Sequence, residues 1–225
     1  PLTLALAPLE ALLEGEVGDF SPNQFSYLEV IYQNTKKLLK LVNELLDFAK
    51  IDAGKMTAIF VEEDFSHFIL SLMEQFKPYS SEMKIDFSFD LPKDSIRVFF
   101  DIDKTEKVVS NLLLNAMKYS DERNIVKVKV HETKDEVIFS VFNSGNGIEP
   151  EMVEMVFERF FRLESDSKKI QGTGLGLALS KELIELQRGQ IGLQSEKGDG
   201  VTIWFSLQKG AEHLTEDEKT LGWGE

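Results

Sequence analysis

The sequence predicts an α+β protein in which a helical hairpin precedes a two-layer α/β sandwich. Residues 1–50 show only helical periodicity, whereas strand and helix patterns alternate between residues 57 and 208. Turn-forming residues separate the two regions at 53–57. At 225 residues with 42% apolar content, the chain can bury one substantial core and a smaller accessory unit.

The first region predicts two helices. Residues 1–14 form a short apolar helical pattern, and the Ser21-Pro22 pair lies in the turn after it. A heptad stripe then runs through the second helix: Leu28, Ile31, Thr35, Leu38, Val42, Leu45 and Ala49. Further apolar residues widen this stripe, as is typical of a helical bundle. The stripe can pack against a second copy of the chain or against the following domain.

The second region alternates between strands and helices. The predicted strands are 57–61, 85–91, 97–100, 125–132, 136–143, 190–196 and 201–207. The predicted helices are 65–83 with Asp64 as N-cap, 104–119 with Asp103 as N-cap, and 172–188. The sequence therefore predicts a hairpin at 1–55, a sandwich at 56–209, and a polar, acidic linker at 210–225.

Composition excludes several classes of function. The formal net charge of −14 disfavours nucleic acid as a partner, because phosphates would repel such a surface. The chain has no cysteine, which excludes disulfides, thiolate catalysis and Cys-ligated zinc. No apolar run reaches 18 residues and no signal peptide is present, so we expect this segment to be soluble.

A glycine-rich run at 171–180 (QGTGLGLALS) is the most informative stretch of the chain. Its glycines Gly172, Gly174 and Gly176 open an apolar helical pattern. Glycine lets the backbone come close to a bulky anion, and a helix N-terminus directly behind it offers free N–H groups. The run therefore predicts a phosphate site, with a plain turn before a helix as the alternative.

Three further motifs accompany this run. Asn111, Asn115 and Lys118 follow i, i+4 and i+7 spacing, so they share one face of a predicted apolar helix. Burying such a polar stripe costs free energy unless a bound polar group lies in front of it, which indicates a ligand site. The alternative is that the amides lie on the helix surface and bond to the local backbone. The other two motifs are 143–148 (NSGNGI), directly after a strand, and 156–160 (VFERF).

Together these motifs resemble the ATP-binding catalytic domain of bacterial sensor histidine kinases, with part of the dimerisation helices that precede it. The asparagine box of that family is similar to 111–119, its two glycine boxes to 143–148 and 172–177, and its Phe-containing box to 156–160. The resemblance covers about residues 1–208. It implies a Bergerat-type ATP-binding fold and a hairpin that forms half of a dimeric four-helix bundle, so it favours dimerisation.

The resemblance also implies ligands for individual residues. Asn115 would bind Mg²⁺ and its bridged phosphates, Lys118 would meet the phosphates, Tyr119 would lie against adenine, and Arg159 would meet the γ-phosphate. The residues 162–171 would form a mobile lid. The backbone contacts to ATP would come from Gly145, Gly147, Gly172, Thr173, Gly174, Leu175 and Gly176.

Asn111 and Asn143 distinguish this chain within that superfamily. We expect Asn111, Lys118 and Arg159 to be the catalytic residues. Related gyrase-type and chaperone-type ATPases carry a glutamate base at the position of Asn111. An amide cannot serve as a base, so the residue favours phosphotransfer over hydrolysis. Most family members have aspartate at the position of Asn143; we expect the Asn143 oxygen to accept from the adenine amino group and its NH₂ to donate to adenine N1.

The phosphoacceptor of the family lies in a His-Glu-x-Arg-Thr-Pro pattern, and this chain begins at its final proline. His67, His131 and His213 lack that context, so we expect the acceptor just upstream of Pro1. The sequence thus predicts the core of a protein-histidine kinase, with a degenerate regulatory module as the alternative and an ATPase as a distant third.

The resemblance also sets the expected partners and location. We expect a homodimer and a receiver-domain partner, the latter in the same polypeptide because detail near both ends resembles hybrid kinases. The expected location is the cytoplasmic portion of a sensor whose membrane anchor, if present, would precede Pro1.

Overall fold

The computed structural model describes residues 2–16, 18–120, 125–162, 172–215 and 218. The chain divides into two compact units, Pro1–Met56 and Thr57–Glu225. The N-terminal unit is the predicted helical hairpin, with α1 at Leu2–Leu13 and α2 at Pro22–Asp52. Ser21 caps α2 by accepting from the Gln24 N–H, and the Gln24 side chain accepts in return from the Ser21 N–H.

The hairpin has a hydrogen bond between its two helices and exposes apolar residues along α2. The Tyr32 hydroxyl donates to Glu10 across the pair at 2.6 Å. No residue of α1 is fully buried. On α2, Ile31, Leu38 and Leu45 are 51%, 49% and 41% exposed. Because these three residues are one heptad apart, they form a continuous apolar strip along α2.

The second unit is an α+β sandwich, as predicted. Its helices are α3 (Phe65–Glu82), α4 (Ile102–Tyr119) and α5 (Gly176–Leu186), and two short 3-10 helices lie at Pro150–Met152 and Met155–Phe157. Its strands are β1 (Val61–Asp64), β2 (Asp86–Asp90), β3 (Arg97–Phe100), β4 (Ile125–Glu132), β5 (Glu136–Ser144), β6 (Gln190–Glu196) and β7 (Gly200–Gln208).

The strands form one large and one small sheet. The five-stranded sheet has the order β2-β4-β5-β7-β6, in which only the β2–β4 pair is parallel, and β1 pairs with β3 separately. Alternate residues of β4 and β5 are buried, as expected for a sheet with helices on one face. Phe139 and Phe205 stack in this core with ring centroids 5.1 Å apart. Asn143 continues the buried face of β5 to its end.

Three predicted boundaries were wrong. The strand expected at 57–61 is Val61–Asp64, because pairing with β3 selects those residues. The helix expected at 172–188 begins at Gly176, because Gly174 has a φ of +72° and cannot continue a right-handed helix. The N-cap of α4 is Asp101 rather than Asp103, which lies in the first turn.

Asp101 caps α4 because tertiary contacts select it. Its Oδ1 accepts from the Lys104 N–H at 3.0 Å, and its Oδ2 accepts from the Ile59 N–H at 2.8 Å. Its own N–H donates to the Gln187 side-chain oxygen, which also accepts from the Thr105 hydroxyl. Asp101, Thr105 and Gln187 are 3%, 0% and 1% exposed. This buried cluster joins the start of α4 to the end of α5.

The first residues of the predicted linker pack onto the second unit. Leu214 is buried, and the His213 ring meets Phe60 edge-on. Arg188 donates to the His213 carbonyl and to both carboxylate oxygens of Glu218, at 2.6 to 2.9 Å. Across the described residues, no helix is long and apolar enough to cross a membrane.

Candidate nucleotide site

One face of α4 lies directly against the second glycine-rich run. A Cβ on Gly176 would lie 2.3 Å from the Asn111 side-chain oxygen, and a Cβ on Gly172 would lie 2.8 Å from the Lys118 ammonium nitrogen. Gly172–Gly176 therefore runs antiparallel to the polar stripe of α4. The absence of side chains at these glycines is what allows this close approach.

Asn115 lies between these two contacts on the same face of α4. Its side chain is half-buried, and no hydrogen bond reaches it from any of the residues that the structure describes. A half-buried amide in an apolar helix is unfavourable without a polar partner. Asn115 is therefore placed and available to bind a polar ligand.

Asn111 has a different environment from Asn115. Its Nδ2 donates to the Ser180 hydroxyl at 2.9 Å, and that hydroxyl donates to the Gly176 carbonyl at 2.9 Å. The amide thus connects α4 to the first turn of α5. Sequence reasoning assigned no role to Ser180, although a serine four residues after a helix-opening glycine, on an apolar face, indicates such a backbone bond.

The N-terminus of α5 faces this region without a side-chain cap. Leu175 occupies the N-cap position and is fully buried, so only its backbone can face a ligand. Its N–H donates to the Thr173 hydroxyl at 3.3 Å. The next N–H groups lie at a positive dipole end, which is the structural basis of an anion site.

The Phe-containing motif holds the glycine-rich run in place. The Phe160 N–H donates to the Gly174 carbonyl at 2.9 Å, and a Cβ on Gly174 would lie 2.8 Å from the Phe160 backbone. Phe160 has a φ of +66° and is 63% exposed. A non-glycine residue in this conformation is strained. Sequence reasoning identified the motif but could not show that its backbone pairs with Gly174.

Lys118 and Tyr119 lie together at the end of α4. The Lys118 ammonium lies 4.8 Å from the centroid of the Tyr119 ring and 3.4 Å from its hydroxyl. Tyr119 is 44% exposed, so its ring is accessible. Burial around the hydroxyl raises the pKa of Tyr119 above its ordinary value, against a smaller opposing effect of Arg162. The phenol therefore remains neutral at physiological pH.

Asn143 is buried at 5% exposure beside Tyr119. Its Nδ2 donates to the Tyr119 carbonyl at 3.3 Å and to the Ser144 carbonyl at 3.1 Å. Because this NH₂ group already has two protein acceptors, the structure disfavours its donation to adenine N1. The oxygen remains the atom that can meet a ligand.

The first glycine-rich loop rests on the end of β6. A Cβ on Gly147 would lie 2.7 Å from the Glu196 carbonyl oxygen, and the Ile148 N–H donates to the Ser195 hydroxyl at 2.6 Å. On the other side, a Cβ on Gly145 would lie 3.3 Å from the Tyr119 carbonyl oxygen. Ser195 supports the loop and was not identified from the sequence, because it lies on a separate strand.

Arg159 and the predicted lid complete the set of candidate residues. The Arg159 guanidinium lies 3.6 Å from a carboxylate oxygen of Glu182, on the outer part of α5. Of the predicted lid, only Arg162 lies within the described residues. His67 and His131 lie on α3 and β4, and His213 lies beside Phe60, so none of the three is on α4 or in a glycine-rich run.

Comparison with protein families assigns both units. Residues 100–211 match the family described as histidine kinase-, DNA gyrase B- and HSP90-like ATPase. Residues 1–54 match the His Kinase A (phospho-acceptor) domain. The chain is 35% identical over 212 residues to the sensor histidine kinase WalK of Bacillus subtilis, covering 92% of this chain and 34% of WalK. The chain spans about a sixth to a half of the length of the first curated relatives that it matches.

Solved structures agree in fold. The catalytic domain of the histidine kinase ThkA is 30% identical and superposes with a TM-score of 0.59, over 67% of this chain and 95% of that domain. Full-length ShkA, solved in complex with AMPPNP, is 25% identical with a TM-score of 0.71, over 95% of this chain and 46% of ShkA.

Proposed function

The chain belongs to the histidine kinase family and carries its catalytic core, and from this premise we propose that it binds ATP with Mg²⁺ and transfers the γ-phosphate to a histidine. The observation that carries the proposal is the polar face of α4 set against Gly172–Gly176, with the Asn115 amide between them and without a hydrogen bond to any described residue. This arrangement provides an amide oxygen, an ammonium group and an uncapped helix N-terminus along one face of α4.

These groups suit different parts of the nucleotide. The Asn115 oxygen would ligate Mg²⁺, which needs few protein ligands when phosphate oxygens and water complete its shell. Bound there, the metal would neutralise phosphate charge during transfer. The N–H groups at the start of α5 and the Lys118 ammonium would hold phosphate oxygens. At the other end, the exposed Tyr119 ring would lie against adenine, and the Asn143 oxygen would accept from its amino group.

Arg159 would act in the transfer step, and Asn111 would hold α5 in position for it. Arg159 would leave Glu182 to meet the γ-phosphate, an exchange favoured by the greater charge of phosphate. Asn111 would keep α5 in position through Ser180 rather than exchange a proton. Because an amide cannot activate water, this position supports phosphotransfer over hydrolysis, which disfavours the ATPase alternative.

We place the acceptor histidine outside these 225 residues. Residues 1–54 are similar to a phospho-acceptor domain yet contain no histidine, since the three histidines are His67, His131 and His213. Incubation with γ-labelled ATP should therefore leave no acid-labile label on this chain. Adding a segment that supplies a histidine should restore labelling if the pocket is productive; acid-labile label on the chain alone would contradict this assignment.

We also propose a homodimer through the hairpin and a response-regulator receiver domain as the phosphate recipient, in the same polypeptide if the kinase is a hybrid. The exposed apolar strip of α2 supports dimerisation.

The second candidate function is a degenerate module that signals through conformation. The observation that favours it is Asn143, which stands where the family usually has aspartate.

Isothermal titration with ADP, with and without Mg²⁺, tests the proposed function. The unmodified chain should bind ADP more tightly with Mg²⁺. Asn115→Ala should remove this metal dependence, because a methyl group cannot ligate the ion, whereas His131→Ala on the exposed side of β4 should behave like the unmodified chain. Absence of binding in both conditions would reject the kinase and leave the degenerate module.

A further inference from the structure

The Asn143 amide joins two elements of the nucleotide site by their backbones. Tyr119 is the last residue of α4, and Ser144 is the last residue of β5. Both carbonyls accept from the same NH₂ group, at 3.3 and 3.1 Å. The amide therefore ties the end of the asparagine-box helix to the strand that leads into the first glycine-rich loop.

The chemistry of the two partners determines which group can stand at this position. A carbonyl oxygen only accepts hydrogen bonds, so the atom facing the two carbonyls must be a donor. The amide nitrogen of Asn143 has two hydrogens, one for each partner. A carboxylate has none, and aspartate at 143 would place a charged oxygen against two carbonyl oxygens in a buried position.

The remaining polar atom of the amide is Oδ1. No described residue donates a hydrogen bond to it. Within the described part of the chain, no side-chain nitrogen or oxygen is both fully buried and unpaired, so part of the surface of this oxygen remains accessible. A Cβ on Gly145 would lie 3.5 Å from the Asn143 nitrogen, which packs the glycine-rich loop against the same amide.

On the basis of the proposed ATP binding, we propose that Asn143 is a positioning and specificity residue. Its NH₂ group links α4 to β5 through two hydrogen bonds (the clamp), and only its oxygen recognises the 6-amino group of the purine. It follows that aspartate, the usual residue of the resembled family, would weaken this particular pocket. Purines with a 6-amino donor fit the free oxygen, whereas a 6-oxo group would place one acceptor against another.

Three variants distinguish the clamp formed by the NH₂ group from the recognition of the purine by the oxygen. Asn143→Asp keeps an acceptor and loses both donors, so ADP affinity should fall about tenfold or more and the Tm should fall by about 5 °C. Its preference for ADP over inosine diphosphate should persist. Asn143→Ala loses both functions, so that preference should disappear as well. Gln194→Glu makes the same amide-to-carboxylate change on an exposed residue of β6 and should change ADP affinity less than about twofold.

Titration of the 225-residue chain with ADP and inosine diphosphate, together with thermal unfolding, gives a distinct result for each part of the proposal. An Asn143→Asp chain with unchanged Tm and equal or tighter ADP binding would refute the clamp. An unchanged base preference in Asn143→Ala would refute the reading of the purine. If the unmodified chain binds neither nucleotide, the proposed function fails, while the Tm of Asn143→Asp still decides the clamp.

Discussion

At the scale of single residues, the glycines of this protein differ in what would surround a side chain. Gly147 and Gly198 have nearly the same left-handed backbone, with φ of +79° and +80°. A Cβ on Gly147 would lie 2.7 Å from the Glu196 carbonyl oxygen, whereas a Cβ on Gly198 would meet nothing within 4 Å. The pair therefore separates backbone strain from steric clash.

Alanine at these two positions should have unequal effects. Gly198→Ala should cost about 1–2 kcal/mol through its backbone conformation alone. Gly147→Ala should cost about 1–3 kcal/mol more, because the loop must move away from β6. It should also weaken ADP binding, since that loop is part of the proposed site. Urea denaturation measures the free energy of unfolding of both variants. Equal losses would show that the loop can move away from β6 without cost.

At the scale of secondary-structure elements, the sequence predicted best where the information is local. The strands at Arg97–Phe100, Ile125–Glu132 and Gln190–Glu196 have the predicted bounds, because their alternation and flanking turns are encoded locally. The cap of α4 was not predictable in this way. Asp101 and Asp103 are equivalent as local caps, and contacts with Ile59 and Gln187 select the first.

The candidate site shows the same division. The spacing of Asn111, Asn115 and Lys118 placed them on one helix face, and the structure brings that face against the predicted glycines. The hydrogen bond from Asn143 to Tyr119 and the contact of Ser195 with Ile148 join residues far apart in sequence. No periodicity or short motif contains that information, which explains why the sequence prediction missed them.

Asp101 should contribute more to stability than an ordinary helix cap. Asp64 caps α3 by accepting from the His67 N–H, and Asp64→Ala should cost about 1 kcal/mol. Asp101→Ala also leaves the Ile59 N–H without its acceptor and the largely buried Lys104 ammonium without its ion pair. We therefore expect a loss of about 3–5 kcal/mol. Chemical denaturation of both variants is the measurement, and a similar loss in each would contradict the role of the buried cluster.

At the scale of the whole molecule, the hairpin carries an apolar strip that its own two helices do not cover. Replacing Leu38 and Leu45 together with glutamate should yield monomers, because two charges would enter the apolar contact between copies. ADP affinity should be unchanged, since the proposed nucleotide site lies in the other unit. Sedimentation velocity measures the change. Gln33→Glu, on the opposite face of α2, should remain dimeric, and a monomeric unmodified chain at high concentration would refute the proposed dimer.

The central pairing of β5 with β7 has a consequence for the order of folding. Ser144 lies opposite Gly200 in this pair, so the glycines of both glycine-rich runs lie in the excursion, residues 145–199, that the pair closes. During synthesis, a chain that ends before Gly200 already contains α4 and every candidate ligand for ATP. It lacks the strand that brings the two ends of the excursion together. The entropic cost of closing a loop rises only slightly with its length. The excursion can therefore vary in length while the Ser144–Gly200 pair that closes it stays the same.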